Sequence, residues 1–257
     1  MVIKNEEMIR AHAPAAFATE PEKGRVSERY TFLPTTDILE VLQEEGWTCT
    51  SAEQVSSRSW SKTHGRHMLR LRHEDLQQKD FGVGDSIPEM VLINCHNGLG
   101  GYVLQGGIFR LVCSNGMVIA EEDFGRIQQR HIGFEPAVVV EASRQLILNS
   151  SKIADKIDSW QNTEMTERSR KDFFTDAAQL RFENPNDGLI QDVATPRREA
   201  DRGTDLWSSF NVSQENLVRG GFRNSATNRM VRKITNIQKS VSLNQDLWEL
   251  ASNYALN

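Results

Sequence analysis

The sequence predicts an α+β fold, with an antiparallel sheet of about five strands in the N-terminal half and a mostly helical C-terminal half. Two observations lead to this prediction. Between Trp47 and Ala120, runs of β-branched and aromatic residues alternate with turn dipeptides such as Asn97-Gly98 and Asn115-Gly116. Beyond Pro136, apolar residues recur every three or four positions in long segments with few glycines, which is typical of amphipathic helices.

The length of 257 residues fits one large domain with three parts. Residues 1–27 mix charged residues, Ala and Pro without periodicity, so we expect a loosely ordered N-terminal arm. Residues 28–135 are predicted to hold the antiparallel sheet and one short helix. Residues 136–257 are predicted to form a helical part that packs on the sheet within the same domain.

The N-terminal half is predicted to begin with a short amphipathic helix. Thr35, Thr36 and Asp37 supply capping oxygens for it, and Gly46 stands where it would end. A series of strands follows, and Gly106 and Gly107 predict a bulge or tight bend between two of them. The predicted strands are Trp47–Thr50, Arg66–Arg72, Glu89–Cys95, Tyr102–Gln105 and Ile108–Cys113, with Met117–Ala120 closing the series.

Four helices are predicted in the C-terminal half. A clear break falls at Asn184–Gly188, and a polar segment with two glycines, Gly220–Asn236, separates the last two helices. The predicted helices are Ala137–Trp160, Thr163–Phe182, about Asp201–Val218 and Asn244–Leu256.

Composition favours a cytoplasmic protein. Cys49, Cys95 and Cys113 are widely spaced and odd in number, which argues against a disulfide framework or a zinc knuckle. The first ten residues carry charges of both signs without an apolar stretch, and no apolar run approaches the length of a membrane span. We therefore expect neither a signal peptide nor a membrane anchor.

Positive charge is concentrated in two stretches that contain no acidic residue, although the formal net charge is −5. Residues 54–73, the first basic window, hold five cations, and residues 216–245, the second basic window, hold six. Sorting of this kind is the usual electrostatic footprint of a surface that binds a polyanion. The cations are Arg58, Lys62, Arg66, Arg70 and Arg72 in the first window, and Arg219, Arg223, Arg229, Arg232, Lys233 and Lys239 in the second.

The two windows predict a DNA-binding surface. Period-two alternation places Arg66, Arg70 and Arg72 on one face of a strand, where they could hold phosphates, and the Gly220-Gly221 loop could do the same. Trp60, Tyr102 and Phe222 are candidates for stacking on unpaired bases. The alternative is that both windows are solvated surface whose charges are matched by acids elsewhere in the fold. The predicted DNA-binding residues are Arg58, Lys62, Arg66, Arg70, Arg72, Arg219, Arg223, Arg229, Arg232 and Lys233.

No motif in the sequence predicts catalysis, a cofactor or a metal. The glycines between Gly98 and Gly107 match neither a P-loop nor a dinucleotide fingerprint. His67 and His73 fall on the strand face opposite the arginines, and no nearby Cys or carboxylate before Glu74 completes a metal site. Asp85 and Glu89 precede a strand as nuclease carboxylates do, but no lysine follows to complete that site. We therefore expect a protein that is not an enzyme.

Six strings of the sequence together resemble a known family. They match the phage- and plasmid-associated family called domain of unknown function 932, in its YafZ/YfjQ group, from about residue 27 to the C-terminus. The resemblance implies a bacterial protein of a mobile genetic element and supplies no activity. The strings are Ser27–Thr35, Lys62–Arg72, Phe109–Gly116, Asp205–Trp207, Asn216–Gly221 and Leu243–Trp248.

Taken together, these features lead to the hypothesis of a non-enzymatic, oligomeric DNA-binding protein that binds or anneals single-stranded DNA. The order of a short helix, a curved antiparallel sheet and a long helix is similar to that of Rad52-like annealing proteins, which is an analogy at the level of fold. The alternative hypothesis is an anti-defence protein that binds a host restriction or nuclease complex through the acidic remainder of the chain.

Overall fold

The structure is a computed structural model that describes residues 3–26, 30–55, 62–78, 86–110, 115–118, 127–129, 135–225 and 227–256, with the side chains of 109–134 excepted. The chain divides into two compact units, Met1–Ser151 and Lys152–Asn257. The division falls inside a long helix, α4 (Pro136–Gln161), rather than at the predicted change near residue 135. In the described residues, every helix is too short or too polar to cross a membrane.

The N-terminal unit contains an antiparallel sheet whose first four strands follow one another in sequence order. Two helices, α1 and α2, both contact the first strand. The elements are α1 (Glu6–His12), a 3₁₀ helix (Pro14–Phe17), α2 (Thr35–Glu44), β1 (Trp47–Gln54), β2 (His67–His73), α3 (Glu74–Gln78), β3 (Ser86–Asn94), β4 (Tyr102–Arg110), β5 (Asn115–Val118) and β6 (Ile127–Gln129).

The α+β class and the antiparallel sheet are confirmed, but the predicted count of about five strands is wrong. The predicted strands Tyr102–Gln105 and Ile108–Cys113 form one continuous strand, β4, as far as Arg110. Gly106 and Gly107 lie inside this strand, opposite Met90 and Glu89 of β3, and the pairing continues through them without a shift in register. The sheet therefore has four full strands, and the short β5 and β6 both pair with β4.

The segment predicted as a loosely ordered arm is instead packed against the sheet. Ile9 of α1 is fully buried, and Asn5 Nδ2 donates to the backbone oxygen of Cys49 in β1 at 2.8 Å. The backbone N–H of Ala15 donates to Gln54 Oε1 at 2.9 Å. The prediction failed because the apolar positions of this segment are too few to show a helical period.

The C-terminal unit is built around α7 (Leu206–Arg219), which contacts α5 (Glu167–Gln179), α6 (Asp187–Ala194) and α8 (Ile237–Ala255). Every residue of α7 from Leu206 to Val218 except Ser208 is buried. The mainly helical character of this half is confirmed, whereas α6 occupies part of the segment predicted as a break.

An aromatic cluster forms the core of this unit. Trp160, at the end of α4, lies 4.5 Å from Trp248 and 5.5 Å from Phe210 between ring centroids. Trp207 stacks on Phe210 with an interplanar angle of 9°. Offset and tilted ring pairs of this kind stabilise a core beyond the area that they bury.

Helix starts in the C-terminal unit follow the local sequence closely. The side chains of Thr166, Asn186, Asp205 and Asn236 each accept a hydrogen bond from the backbone N–H three residues later, at the N-termini of α5, α6, α7 and α8. Such caps satisfy N–H groups that have no partner within the helix. The boundaries of these helices are therefore set by short-range chemistry.

Candidate nucleic-acid interface

The first basic window contributes a buried ion-pair cluster in the sheet rather than an open basic face. Arg70 Nη1 lies 3.1 Å from Glu89 Oε2, and Arg72 Nε lies 3.0 Å from Glu89 Oε1. The side chain of Glu89 on β3 is 0% exposed, and that of Arg70 is 10% exposed. The prediction that Arg70 and Arg72 present a solvent-facing row to phosphates is therefore wrong, because β3 brings a carboxylate against them. Glu89 holds these arginines instead of completing a nuclease-like site.

The other residues of the first window are spread over the chain around this strand. Arg66 is half-buried, and its Nη2 donates to the backbone oxygen of Leu99 at 3.2 Å. Lys62 is exposed. Arg58 and Trp60 lie outside the described residues. The first window thus contributes Lys62 as an exposed cation in the part of the chain that the structure describes.

Of the candidates for base stacking, Tyr102 lies in the N-terminal unit and Phe222 in the C-terminal unit. Tyr102 is 0% exposed in the core of the N-terminal unit, so its ring is not accessible to a base, and this prediction is wrong. Burial of the phenol raises the pKa of Tyr102. Phe222 is half-buried in the C-terminal unit.

Sequence reasoning missed a buried polar network centred on Thr35. Thr35 Oγ1 lies 2.8 Å from His67 Nε2, 3.1 Å from His96 Nε2 and 3.0 Å from Asn94 Nδ2. Thr35 does not cap α2, because its hydroxyl is used in this network. The opposite parity of His67 and the arginines is the signal in the sequence that placed this histidine on the strand face away from them.

The hydrogen bonds of this network define the tautomers of the histidines. His67 Nδ1 lies 3.0 Å from the backbone oxygen of Gly65, so Nδ1 donates and Nε2 accepts from the Thr35 hydroxyl. The Thr35 oxygen then accepts from Asn94 and from His96. Burial lowers the pKa of His67 from 6.5 to about 4, which keeps the imidazole neutral. In the described ranges, no group of three or more His, Cys, Asp or Glu side chains could hold a metal ion.

The second basic window forms a small two-stranded ribbon after α7, which we call the basic ribbon (residues 220–233). The backbone N–H of Gly221 donates to Val231 O at 2.7 Å, and the N–H of Val231 donates to Phe222 O at 2.8 Å. Gly221 has a φ of +86°, and these two hydrogen bonds form a β-bulge in which Gly221 and Phe222 both lie opposite Val231. Arg223 then pairs with Met230 as an antiparallel bridge.

The cations of the ribbon are exposed. Arg223, Arg229, Arg232 and Lys233 all point into solvent, and among the described residues no carboxylate oxygen lies within 4.0 Å of their side-chain nitrogens. Arg223 Nη1 donates to the backbone oxygen of Asn228 at 2.9 Å, across the turn of the ribbon. The ribbon therefore concentrates positive charge that the nearby chain does not neutralise.

Arg219 differs from these four because it belongs to a mixed-charge cluster at the end of α7. Its Nη1 lies 3.1 Å from Glu215 Oε1, and Glu215 also pairs with Arg198. Arg198 Nη1 lies 4.0 Å from the buried Asp201. Sequence reasoning missed Arg198 and its neighbour Arg197, because both lie before the acid-free stretch.

Comparison with known proteins places the chain in a family. No solved structure matches it. Two curated relatives from Escherichia coli (strain K12), UPF0380 protein YafZ and UPF0380 protein YfjQ, are each 32% identical to it over 254 residues, covering 97% of this chain and 90% of theirs. The family described as Domain of unknown function (DUF932) matches residues 23–248. The resemblance predicted from the six strings is confirmed, and the chain belongs to the DUF932 family.

Proposed function

We propose that this protein is a non-enzymatic DNA-binding protein and that the basic ribbon of the C-terminal unit carries the binding. The observation that supports the proposal is the exposed set of Arg223, Arg229, Arg232 and Lys233, which has no acidic partner in the described part of the chain. Guanidinium groups on a defined backbone are suited to phosphates, because each can donate two parallel hydrogen bonds.

The electrostatics of the chain favour a local site over a generally basic surface. The formal net charge of −5 includes the six cations of the second window, so the rest of the chain carries −11. A polyanion is repelled by that remainder and attracted to the ribbon, which directs it to one place on the C-terminal unit. Counterion release from the phosphates would supply most of the affinity.

Arg70 and Arg72 have no part in this proposal. Both are committed to the buried Glu89, and replacing those contacts by phosphate would leave a buried carboxylate without its partners. Lys62 stays a candidate contact, because it is exposed. The origin in a mobile genetic element that the resemblance implies is compatible with a DNA ligand.

The proposal is tested by the anisotropy of a fluorescently labelled oligonucleotide titrated with the protein at low salt. A variant with Arg223, Arg229 and Arg232 changed to Ala should bind about tenfold more weakly or worse. A control with Arg168, Lys171 and Arg202 changed to Ala removes the same charge from exposed positions of the same unit, and it should bind nearly as the parent does. Equal weakening by both variants, or no binding by the parent, contradicts the proposal.

The alternative of an anti-defence protein is separated by a pull-down from host lysate. A bridging DNA is lost on nuclease digestion, whereas a directly bound host protein is retained. Retention of one specific host protein together with no affinity for oligonucleotides would favour the alternative.

A further inference from the structure

The basic ribbon has one solvent-facing side and one side that faces the body of the unit. Met230 is 53% exposed, Val231 is 8% exposed, and Arg232 is exposed again, as expected for alternating side chains on a strand. Arg223 lies directly opposite Met230 and shares its face. The outer face therefore carries Arg223, Met230 and Arg232, two guanidinium groups flanking an apolar side chain.

Two arginines from outside the ribbon hold its base. Arg181, just after α5, donates from Nη1 to the backbone oxygen of Leu217 and from Nη2 to the backbone oxygen of Arg232 at 2.6 Å. One guanidinium thus joins the last turn of α7 to the end of the ribbon. The Leu217 oxygen is one of the helix-terminal carbonyls that lack a partner within the helix, and a cation there also stabilises the helix dipole.

Arg197, just after α6, makes a second pair of hydrogen bonds of this kind at the start of the ribbon. We call each such pair a fork. Arg197 Nε donates to Asn216 Oδ1 at 2.5 Å, and its Nη2 donates to the backbone oxygen of Gly220. Asn216 is itself held, because its Nδ2 donates to the backbone oxygens of Val193 and Thr195 at 3.0 and 2.9 Å. Partial burial lowers the pKa of both arginines, although Arg181 is only half-buried and Arg197 is still an exposed residue.

The two forks make the ribbon a preformed element. Arg197 attaches the start of the ribbon to α7 and Arg181 attaches its end to α7, so both ends of the ribbon are held. A ribbon whose backbone is ordered before binding loses less conformational entropy when the ligand arrives. Arg181 and Arg197 are therefore positioning residues for the ribbon, with their donors directed at the protein itself.

We infer that the basic ribbon docks in the major groove of double-stranded DNA, with Arg223 and Arg232 on the phosphates at its rims and Met230 towards the bases. This inference rests on the proposed DNA-binding function and concerns the form of its ligand. Two strands about 4.8 Å apart, with their side chains, fit the major groove of B-form DNA, which is about 12 Å wide. An apolar side chain such as Met230 can contact the methyl group of thymine there.

The same geometry disfavours the other nucleic acids. Unpaired bases are usually held by aromatic rings, and the outer face carries none, since Phe222 falls on the face shared with the buried Val231. The major groove of A-form RNA is deep and too narrow to admit protein elements. We therefore expect a DNA duplex as the ligand, in place of the single strand predicted from the sequence.

The full-length protein is titrated against three probes of one sequence: a DNA duplex, the single DNA strand and an RNA duplex. We expect the DNA duplex to bind about tenfold more tightly than the other two. Single-stranded DNA or duplex RNA bound as tightly as duplex DNA would overturn the inference while leaving the proposed function standing. Failure of all three probes to bind would overturn both.

The positioning role is tested without nucleic acid, by hydrogen exchange of the ribbon amides. Arg197→Lys keeps the charge but loses the fork, so the amides of Gly221, Asn224 and Val231 should exchange about tenfold faster. The amides of α7 and the fluorescence of the tryptophan cluster should be unchanged, which shows that the unit is folded. Arg168→Lys, at a fully exposed position, is the control.

Arg197→Lys also separates positioning from direct contact. If Arg197 touched phosphate, lysine would preserve most of the affinity and the ribbon amides would exchange as in the parent. If the fork orders the ribbon, affinity for duplex DNA falls in step with the loss of amide protection. Unchanged exchange in Arg197→Lys would overturn the positioning role.

Discussion

At the scale of single residues, burial decides whether a titratable side chain is charged, and the local space decides whether a glycine can be replaced. His67 is fully buried between the Thr35 hydroxyl and the backbone oxygen of Gly65, and this burial lowers its pKa and keeps it neutral. Gly220 and Gly221 lie side by side at positive φ, yet only Gly220 is crowded by the backbone of Val231. Each of these residues leads to a separate prediction.

The neutral state of His67 predicts a loss of stability in mild acid. Its pKa is lowered from 6.5 to about 4 in the folded protein, so protonation favours the unfolded chain. The stabilising contribution is complete above pH 6.5 and is lost progressively as the pH falls towards 4. Between pH 7 and pH 5 the free energy of unfolding should fall by about 2 kcal/mol from this group. Urea denaturation at the two pH values measures it.

His67→Gln provides the control for the acid effect. Glutamine cannot be protonated in this range, so the variant should be less stable at pH 7 but should lose about 2 kcal/mol less than the parent on going to pH 5. An identical pH dependence in parent and variant would show that other groups are responsible.

Alanine substitutions should distinguish the two glycines of the ribbon. A Cβ at Gly220 would lie 2.4 Å from the backbone oxygen of Val231, whereas at Gly221 the nearest atoms outside its chain neighbours are 3.9 Å away. Both variants strain a positive φ, so Gly221→Ala should cost about 1 kcal/mol and Gly220→Ala about 3 kcal/mol. Urea unfolding followed by tryptophan fluorescence would decide; equal costs would mean that the carbonyl moves away freely.

At the scale of elements, the pairing of β2 with β3 brings two arginines of the first basic window against a buried carboxylate. Arg70 and Arg72 are 19 and 17 residues from Glu89 along the chain, and the hairpin brings the three side chains within hydrogen-bond distance. The basic ribbon is the converse case. Its register leaves Arg223 and Arg232 on a face that no described carboxylate covers.

The cluster on β2 and β3 predicts a large cost for removing its carboxylate. Glu89→Gln leaves two largely buried guanidinium groups without their counterion, which should lower the free energy of unfolding by about 3 kcal/mol or more. Glu53→Gln, at an exposed position on β1, is the matched control and should change it by less than about 0.5 kcal/mol. Thermal or urea denaturation of both variants gives the comparison, and a neutral Glu89→Gln would show that Arg70 and Arg72 reach water.

At the scale of the whole molecule, the two basic windows belong to different compact units. The first lies in Met1–Ser151, where two of its arginines are paired, and the second lies in Lys152–Asn257, where its ribbon cations are exposed. Of the two windows, the second therefore supplies most of the exposed positive charge, and it lies in the C-terminal unit.

The salt dependence of DNA binding should report how many cations of the basic ribbon contact phosphate. Contacts from Arg223, Arg229, Arg232 and Lys233 predict a slope of about −3 to −4 in a plot of log affinity against log salt concentration. The triple variant lacking the three arginines should retain a slope of about −1. A parent slope of −6 or steeper, on the order of one unit for each further cation, would show that Lys62 or other residues also contact phosphate.

The sequence alone predicted the α+β class, the mainly helical C-terminal half and the family, and it missed α6. Apolar periods act over a few turns, so they are visible in the chain. The caps Asn186 and Asp205 also act over three residues, but the sequence prediction did not use them, and Asn186 falls in the segment predicted as a break. The same short range explains two failures. Gly106 and Gly107 suggested a bend because their partners on β3 are not visible locally, and α1 has too few apolar positions to show a period.

Only the tertiary structure decided which basic residues are available to a ligand. The absence of acids from residues 54–73 and 216–245 says nothing about a carboxylate that a neighbouring strand supplies, and Glu89 stands outside the first window. In the second window Arg219 pairs with Glu215, whereas no described carboxylate lies within 4.0 Å of Arg223, Arg229 or Arg232, so these three arginines stay open to solvent. Electrostatic pairing depends on distances in space, and these are set by strand register and helix packing.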